Sequence, residues 1–367
     1  MTSNPTGVRF PTSLFGVLVF FSGSAALIHQ LLWTRRLIDL LGASTESSAR
    51  VFGVFFLGLS IGSAAAAVLV RRTPNPLRVA GLAQLCIPIL VVPVIYLSNL
   101  TDWIWPNIGS EITSGSSGFL LKSLITLLFI LPPSVMMGLS FPLIVAGVLG
   151  LQRGQLSGSG INLYAVNTLG GAFGVAFGVL IALPQLGNFA SMVLAAAIDG
   201  LVGIALLMLS MTPQTSKANP ETHNVAQESP SRSHPMGHAI GLAFFSGAAV
   251  LALEVVAFQI FQLAATISLF SPAAVLFAAI VSLGLAAAFF SRFRSALMSN
   301  DRYRMMTLIM IVSGILAIAA PQLFMLIAKQ SNWFASSGGV LPFVLKLGTL
   351  AVISVGPAWL AAGLIFP

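Results

Sequence analysis

Phe20–Leu27, with the sequence FFSGSAAL, recurs 224 residues later as FFSGAAVL at Phe244–Leu251. The segment Met137–Pro142 is echoed near the end of the chain by Ala362–Pro367. Self-similarity at a nearly fixed offset sets the architecture of a chain, because each repeat is one structural unit. The pattern therefore predicts two versions of one membrane segment, at residues 14–142 and 238–367.

The composition places the chain among integral membrane proteins. Apolar residues make up 57% of its 367 residues, charged residues only 7%, and the mean hydropathy is +0.97. Soluble domains carry roughly 25% charged residues. The net charge of +8 comes from short basic clusters between apolar runs, which indicates membrane topology rather than a nucleic-acid surface. A single cysteine, Cys86, excludes an intrachain disulfide and a thiolate metal cluster.

Ten windows of the sequence are long and apolar enough to cross a bilayer, which takes about 20 residues. The pattern predicts an all-α, polytopic membrane helix bundle. Pro132 and Pro133 fall in the fourth window, and Pro342 and Pro357 in the tenth, so we expect kinks or breaks in both. The windows are 12–34, 48–70, 77–98, 119–149, 161–183, 189–211, 239–263, 271–291, 304–328 and 340–366.

The distribution of basic residues predicts a cytoplasmic amino terminus. With that orientation, eleven of the 17 lysines and arginines lie in inside segments and six in outside segments. Six predicted helices precede the second copy, so both copies enter the membrane in the same direction. This makes a parallel repeat, as between the two halves of major facilitator transporters. The second copy has four helices and no counterparts of helices five and six.

The chain is accordingly divided into three parts. Residues 1–211 form the first six-helix bundle, and residues 239–367 form a second, incomplete bundle of four helices. Between them, residues 212–238 are rich in Pro, Ser and Asn. Such a stretch cannot bury enough apolar surface to order itself, so we expect a disordered cytoplasmic linker.

Four segments resemble the membrane portion of bacterial fused spermidine-synthase-like proteins: Phe21–Arg35, Phe55–Ser63, Pro132–Pro142 and Tyr164–Gly171. The resemblance implies a major-facilitator-like bundle in the bacterial cytoplasmic (inner) membrane, which in that family is followed by a cytoplasmic aminopropyltransferase-type domain. No strand, glycine-rich turn and helix with a downstream acid occurs in this sequence, so aminopropyl transfer is not assigned to it. Either the sequence is the membrane part of a longer polypeptide, or this relative lacks the catalytic domain and two helices.

Ionisable side chains at membrane depth are the candidate site residues. An Asp, Lys or Arg at the centre of a membrane helix costs about 2.5–3.5 kcal/mol and by default marks a functional site. Glu254 in the seventh helix corresponds by the repeat to Gln30 in the first, beside His29, and Asp199 lies near the middle of the sixth. These side chains, with Asn167 at the start of the fifth helix, would suit a cationic substrate. The alternative is a structural role as interhelical hydrogen bonds.

Glycines spaced four residues apart predict close helix packing. Lipid gives helices no hydrophobic drive to associate, so small residues that let backbones approach are typical of interfaces. The sequence has two such seams, Gly58 with Gly62 and Gly170 with Gly174 and Gly178.

Two classes of function stay open. In the first, the chain moves a polyamine-like or other small cationic substrate. In the second, it is a non-transporting anchor or assembly subunit for a cytoplasmic enzyme domain or a larger membrane complex. The sequence has no nucleophile–base pair, phosphate loop or metal-ligand spacing, so we predict no catalytic residues, metal or cofactor. The predicted partners are the lipid bilayer and, in the second class, other protein subunits, with no nucleic acid.

Overall fold

The structure, a computed structural model, describes residues 12–41, 45–96, 115–151, 156–211, 236–265, 270–297, 302–330 and 340–363. All regular structure in these ranges is helical, as the apolar sequence predicts. Within a bilayer only a helix or a closed barrel satisfies its own backbone hydrogen bonds. The helices are α1 Thr12–Leu41, α2 Thr45–Arg72, α3 Pro76–Ile95, α4 Gly115–Leu151, α5 Leu156–Phe177, α6 Leu183–Met211, α7 Met236–Ala265, α8 Phe270–Leu297, α9 Arg302–Gln330, α10 Val340–Ser354 and α11 Gly356–Gly363.

The chain is a multi-pass membrane protein by the length and composition of its helices. Among the described residues, seven helical segments are long and apolar enough to cross a membrane, or eight if α10 and α11 form one bent span. The count of ten stays a prediction. The difference has two sources: Asn162–Met211 forms one apolar stretch of 50 residues, and the described apolar part of α7, Val250–Gln262, is shorter than a full span.

The long stretch Asn162–Met211 is interrupted at two places. A π-helical turn, Gly178–Ala182, joins α5 to α6. Five residues later, Gly187 has φ 73° and ψ 178°, a conformation outside any helix. A straight helix of 50 residues would extend about 75 Å at 1.5 Å per residue, more than twice the hydrocarbon thickness of about 30 Å. The break at Gly187 therefore falls where the sequence predicts the turn between the fifth and sixth helices.

Prolines have different effects in the two predicted broken helices. α4 continues without interruption through Pro132, Pro133 and Pro142, so the predicted break is not observed there. The tenth predicted helix does break: α10 and α11 meet at Val355 with a bend of 52°, just before Pro357. Proline removes a backbone donor and disfavours helical geometry in the residue before it.

In the first part of the chain, the most extensive helix contacts are between α2 and α4 and between α1 and α5. α3 lies between α4 and α6, and α1 also packs on α6. A Cβ atom at Gly62 would overlap the backbone of Val135, and one at Gly170 would overlap the carbonyl oxygen of Phe20. The helices approach at these points because no side chain separates their backbones.

The helices after the linker pack in a corresponding order. α8 packs on α10 and α11, as α2 packs on α4, and α9 packs on α11, as α3 packs on α4. A Cβ at Gly363 would meet the Cβ of Ala286, which corresponds to Gly62 at the offset of 224 residues. Such contacts are expected of a repeat, and the major-facilitator-like repeat itself stays a prediction. The linker lies mostly outside the described residues, and α7 already begins at Met236, inside the predicted linker 212–238.

Among the described residues, contacts on two sides join the first part of the chain to the second. Phe52 of α2 lies against Phe258 of α7, with ring centroids 4.9 Å apart. On the other side, α8 packs along α5, where Gly284 lies against Leu169. Leu31 of α1 belongs to the same apolar cluster as Leu276 of α8. The boundary between the two parts is therefore formed by α1, α2 and α5 on one side and α7 and α8 on the other.

Candidate functional site: buried polar groups inside the bundle

His29 and Asp199 form a pair in the interior of the first bundle. His29 Nε2 lies 3.1 Å from Asp199 Oδ2, and the two side chains are 0% and 1% exposed. His29 is in the middle of α1 and Asp199 is in the middle of α6, so the pair connects two membrane-spanning helices. The geometry suits an Nε2–H group donating to the carboxylate.

Apolar side chains surround this pair. The imidazole of His29 stacks on the indole of Trp33, one turn further along α1, with ring centroids 5.2 Å apart. Ile87 and Val91 of α3 and Met192 of α6 belong to the same core cluster as Trp33. Because there is little polar surface to screen it, an electrostatic interaction here is stronger than in water.

Each member of the His29–Asp199 pair has a second polar atom that takes no part in the contact between them. Within the described part of the chain, His29 Nδ1 and Asp199 Oδ1 have no hydrogen-bond partner. Buried polar atoms are normally satisfied, and exceptions call for an explanation such as a functional role. The pair therefore retains one free position on each member, and a proton can be held between them or on either one.

A second polar contact lies two helical turns from the pair. Gln84 of α3 donates from Nε2 to the hydroxyl of Ser22 on α1 at 2.5 Å. Both side chains are buried, and Gln84 Oε1 has no partner among the described residues. Ser22 precedes His29 by seven residues, so it lies on the same face of α1, about 10 Å along the axis.

The face of α6 that carries Asp199 is marked by further polar residues. Asn188 and Ser210 each lie eleven residues from Asp199, a spacing that returns to nearly the same side of a helix. Ser191 is fully buried on this helix, and neither its hydroxyl nor Asn188 Oδ1 has a partner in the described ranges. At the other end, Asn75 donates to the Ser210 carbonyl at 3.0 Å.

Gln30 and Glu254 occupy positions 224 residues apart, the offset of the repeat. Gln30 is completely buried, and neither amide atom of its side chain has a hydrogen-bond partner in the described structure. Glu254 is 4% exposed, and its Oε1 atom likewise lacks one. Glu254 lies one turn from Phe258, which contacts Phe52, so it is close to the boundary between the two parts of the chain.

Asn167 lies in the seam between α1 and α5. A Cβ at Gly23 would come within 2.9 Å of Asn167 Oδ1, so the side chain rests against the α1 backbone. Nearby, the hydroxyl of Ser24 donates to the Gly170 carbonyl at 2.8 Å. Asn167 is therefore placed as a contact between helices and is not beside the His29–Asp199 pair.

The predicted packing glycines lie at contacts of two kinds. Added Cβ atoms at Gly58, Gly62, Gly170 and Gly174 would overlap atoms of the neighbouring helix, whereas one at Gly178 would reach the Leu31 side chain at 3.2 Å. At the first four positions the absence of a side chain lets two helices approach closely. At Gly178 a small shift of the Leu31 side chain would make room for a Cβ.

The sequence identifies most of these residues singly but not their partners. His29 and Asp199 are both predicted site residues, while their pairing across 170 residues is not predictable from one sequence. Gln84 is missed, although it is the only side-chain amide of α3 and lies among apolar residues in the middle of that helix, which was the available signal. No group of three or more His, Cys, Asp or Glu side chains suited to a metal occurs among the described residues.

Comparison of the sequence with protein-family models and with curated proteins gives no match.

Proposed function

We propose that this chain is a membrane transporter for a small organic cation, such as a polyamine. The observation that supports this proposal is Glu254, a carboxylic side chain 4% exposed, in a membrane helix that contacts the other part of the bundle. Its Oε1 atom has no hydrogen-bond partner among the described residues. A carboxylate oxygen is the usual acceptor for an alkylammonium group.

The placement of Glu254 suits alternating access. In major-facilitator-type transporters, substrate sites lie near the bilayer midplane between two like-oriented halves that rock against each other. Glu254 is one turn from the contact of α7 with α2, and Gln30 holds the corresponding position in α1. A carboxylate and an amide from matching helices would together accept hydrogen bonds from an amine.

This proposal includes the wider expectations from the sequence. We infer a parallel repeat of major-facilitator type, about ten membrane helices, a cytoplasmic amino terminus and a location in a bacterial inner membrane. The charge distribution and the resemblance to the membrane portion of spermidine-synthase-fused proteins support these inferences. The correspondence between the α2–α4 and α8–α11 contacts is consistent with the repeat.

Flux measurements on reconstituted protein test the proposal. Vesicles containing the full chain are loaded with unlabelled putrescine or spermidine, and exchange with labelled amine outside is followed. We expect exchange well above that of empty vesicles, and we expect Glu254→Gln to abolish it. Glu46→Gln is the matched control, because Glu46 is an exposed acid that pairs with Arg50 at 2.5 Å near the start of α2. If the native chain and empty vesicles exchange both amines at the same rate, the transport proposal is wrong.

A second candidate function, an anchor or assembly subunit, is favoured by the packing of α9. Only 11% of its apolar window is buried, the smallest share among the described membrane spans. Beside it, α7 and α9 border a shallow apolar groove lined by residues that include Val256, Pro321 and Phe324. Photo-crosslinkers at Ile315 and Ile318, both exposed, distinguish the functions. Discrete protein adducts in native membranes would support assembly, and adducts with lipid alone would not.

A further inference from the structure

We propose that His29 and Asp199 form a proton-binding site that couples the cation flux to a pH gradient. The coupling rests on the proposed transport function, whereas the proton site stands on its own geometry. The site is the buried 3.1 Å contact between α1 and α6. The ligand is a single proton, and it is bound at a place separate from the Glu254 carboxylate.

The protonation step balances simply. In the unloaded state the pair is a neutral imidazole and a carboxylate, with a net charge of −1. One proton from solution forms one O–H bond at Asp199 Oδ1, the carboxylate oxygen without a partner among the described residues, while His29 Nε2–H still donates to Oδ2, and the pair then has no net charge. Nothing is oxidised or reduced. Burying a pair with no net charge costs much less free energy than burying a carboxylate beside a neutral imidazole. The two protonation states therefore differ in free energy, as a site that couples proton binding to transport requires.

The pair faces away from the boundary between the two parts of the bundle. Leu31 packs in the cluster that contains Leu276 of α8, and His29 precedes it by two residues. Two residues correspond to about 200° around a helix, which is the opposite side. The proton at His29 and the cation at the boundary would therefore bind on different sides of α1.

Polar atoms without partners mark a route along the α1–α3–α6 seam on both sides of the pair. Toward the start of α1 lies Gln84 Oε1, beside Ser22, and toward the start of α6 lie Ser191 Oγ and Asn188 Oδ1. None of these atoms has a hydrogen-bond partner within the described ranges. A proton that reaches a buried site needs polar groups or water along its path; the serine hydroxyls can donate and accept a hydrogen bond, and the amide oxygens can accept one from water.

The other titratable side chains of the helices around this seam lie away from the pair. Asp199 is the only titratable residue of α6. Cys86 of α3 and Tyr164 of α5 are both exposed. The remaining described groups are Arg35 and Arg36 of α1, Glu46, Arg50, Arg71 and Arg72 of α2, Arg78 of α3, Tyr96 just after α3 and Lys122 of α4. Arg36 shares the face of α1 with His29, about 10 Å further along the axis, and its buried Nε has no partner among the described residues.

Infrared spectroscopy of the full chain in lipid tests the proton site directly. We expect one component of the carboxylic-acid C=O band to grow as pH is lowered, to correspond to one carboxyl group per chain and to be lost in Asp199→Asn. The exchanged pair His29→Asp/Asp199→His keeps both groups and should restore one titrating band. Glu46→Gln should leave the band unchanged. If the native band and its pH dependence are the same in Asp199→Asn, His29–Asp199 is not a proton site.

Flux experiments test the coupling separately. A one-unit pH gradient can support roughly tenfold accumulation of a cation exchanged one-for-one for a proton. We expect the native chain and Glu46→Gln to accumulate labelled putrescine against its gradient, and Asp199→Asn to lose this accumulation. Exchange by the native chain without any pH-driven accumulation would overturn the coupling and leave the transport proposal intact. Absence of all exchange would overturn both transport and coupling, and the infrared titration would then decide the proton site alone.

Discussion

Phe52 and Phe258 connect two parts of the chain that lie 206 residues apart in sequence, with ring centroids 4.9 Å apart and planes inclined by 39°. Both side chains are buried, at 5% and 2% exposure. An aromatic pair of this kind contributes about 0.5–1.5 kcal/mol beyond the area it buries. This contact is therefore a measurable link between α2 and α7.

A double-mutant cycle measures that link. We expect Phe52→Ala and Phe258→Ala each to lower the free energy of unfolding, and the double variant to lose less than the sum by about 0.5–1.5 kcal/mol. Denaturation of the purified chain in detergent is the measurement. Phe173→Ala together with Phe258→Ala is the control, because Phe173 contacts Phe20 and Phe177. A purely additive Phe52–Phe258 cycle would mean that the two parts are not coupled there.

Removing one member of the His29–Asp199 pair should be costly. Asp199→Ala leaves His29 Nε2 without its partner, and the loss of one member of a buried pair typically costs about 3–5 kcal/mol. Replacing both members by leucine removes the unmatched polar groups, so His29→Leu/Asp199→Leu should be much closer to the native chain in stability. Unfolding in detergent is again the measurement. A double variant as unstable as Asp199→Ala would show that packing, and not pairing, explains the cost.

Gly170 should not tolerate a side chain. A Cβ at this position would overlap the Phe20 carbonyl oxygen of α1, and overpacking of this kind typically costs about 1–3 kcal/mol. We expect Gly170→Ala to lower the unfolding midpoint, whereas Gly16→Ala should not, because nothing lies within 4 Å of a Cβ at Gly16. Equal midpoints for the two variants would contradict the close approach of α1 and α5.

Gly187 should require glycine for its backbone conformation. At φ 73° and ψ 178° it lies in a region accessible almost only to glycine, where other residues cost about 1–3 kcal/mol. Gly187→Ala should therefore destabilise the chain although there is open space around it. Gly150→Ala, in α4 and also without neighbours at its Cβ, should be neutral or stabilising, since alanine favours helix by about 1 kcal/mol.

The helical, membrane-spanning character of the chain follows from composition and apolar length, because a bilayer permits few alternatives. Local sequence also predicts the break near Pro357. At Pro132 and Pro133, where a kink or a break is predicted, there is no break, and α4 continues although proline removes backbone donors. The turn at Gly187 is marked in sequence by Pro184, Gln185, Gly187 and Asn188, which together place it to within several residues.

The candidate site shows a different limit of sequence analysis. Buried Asp199 and Glu254 stand out because charged residues are rare in this chain. The pairing of Asp199 with His29 depends on how α6 is rotated against α1, and that rotation is set by contacts such as Gly81 with Gly203 between α3 and α6. Such contacts arise from packing of distant segments, and one sequence contains no direct signal for them.

The small buried fraction of α9 has a consequence for how the protein comes apart. Ser313 donates to the Ala358 carbonyl at 3.0 Å and so attaches α9 beside the bend between α10 and α11. α1 and α5, by contrast, are held together along several turns by backbone contacts at Gly170 and Gly174. Segments with few buried contacts open at the lowest free energy. When detergent strips away the surrounding lipid, α9 should be the first helix to exchange its amide protons, while the α1–α5 pair persists until the final cooperative melt.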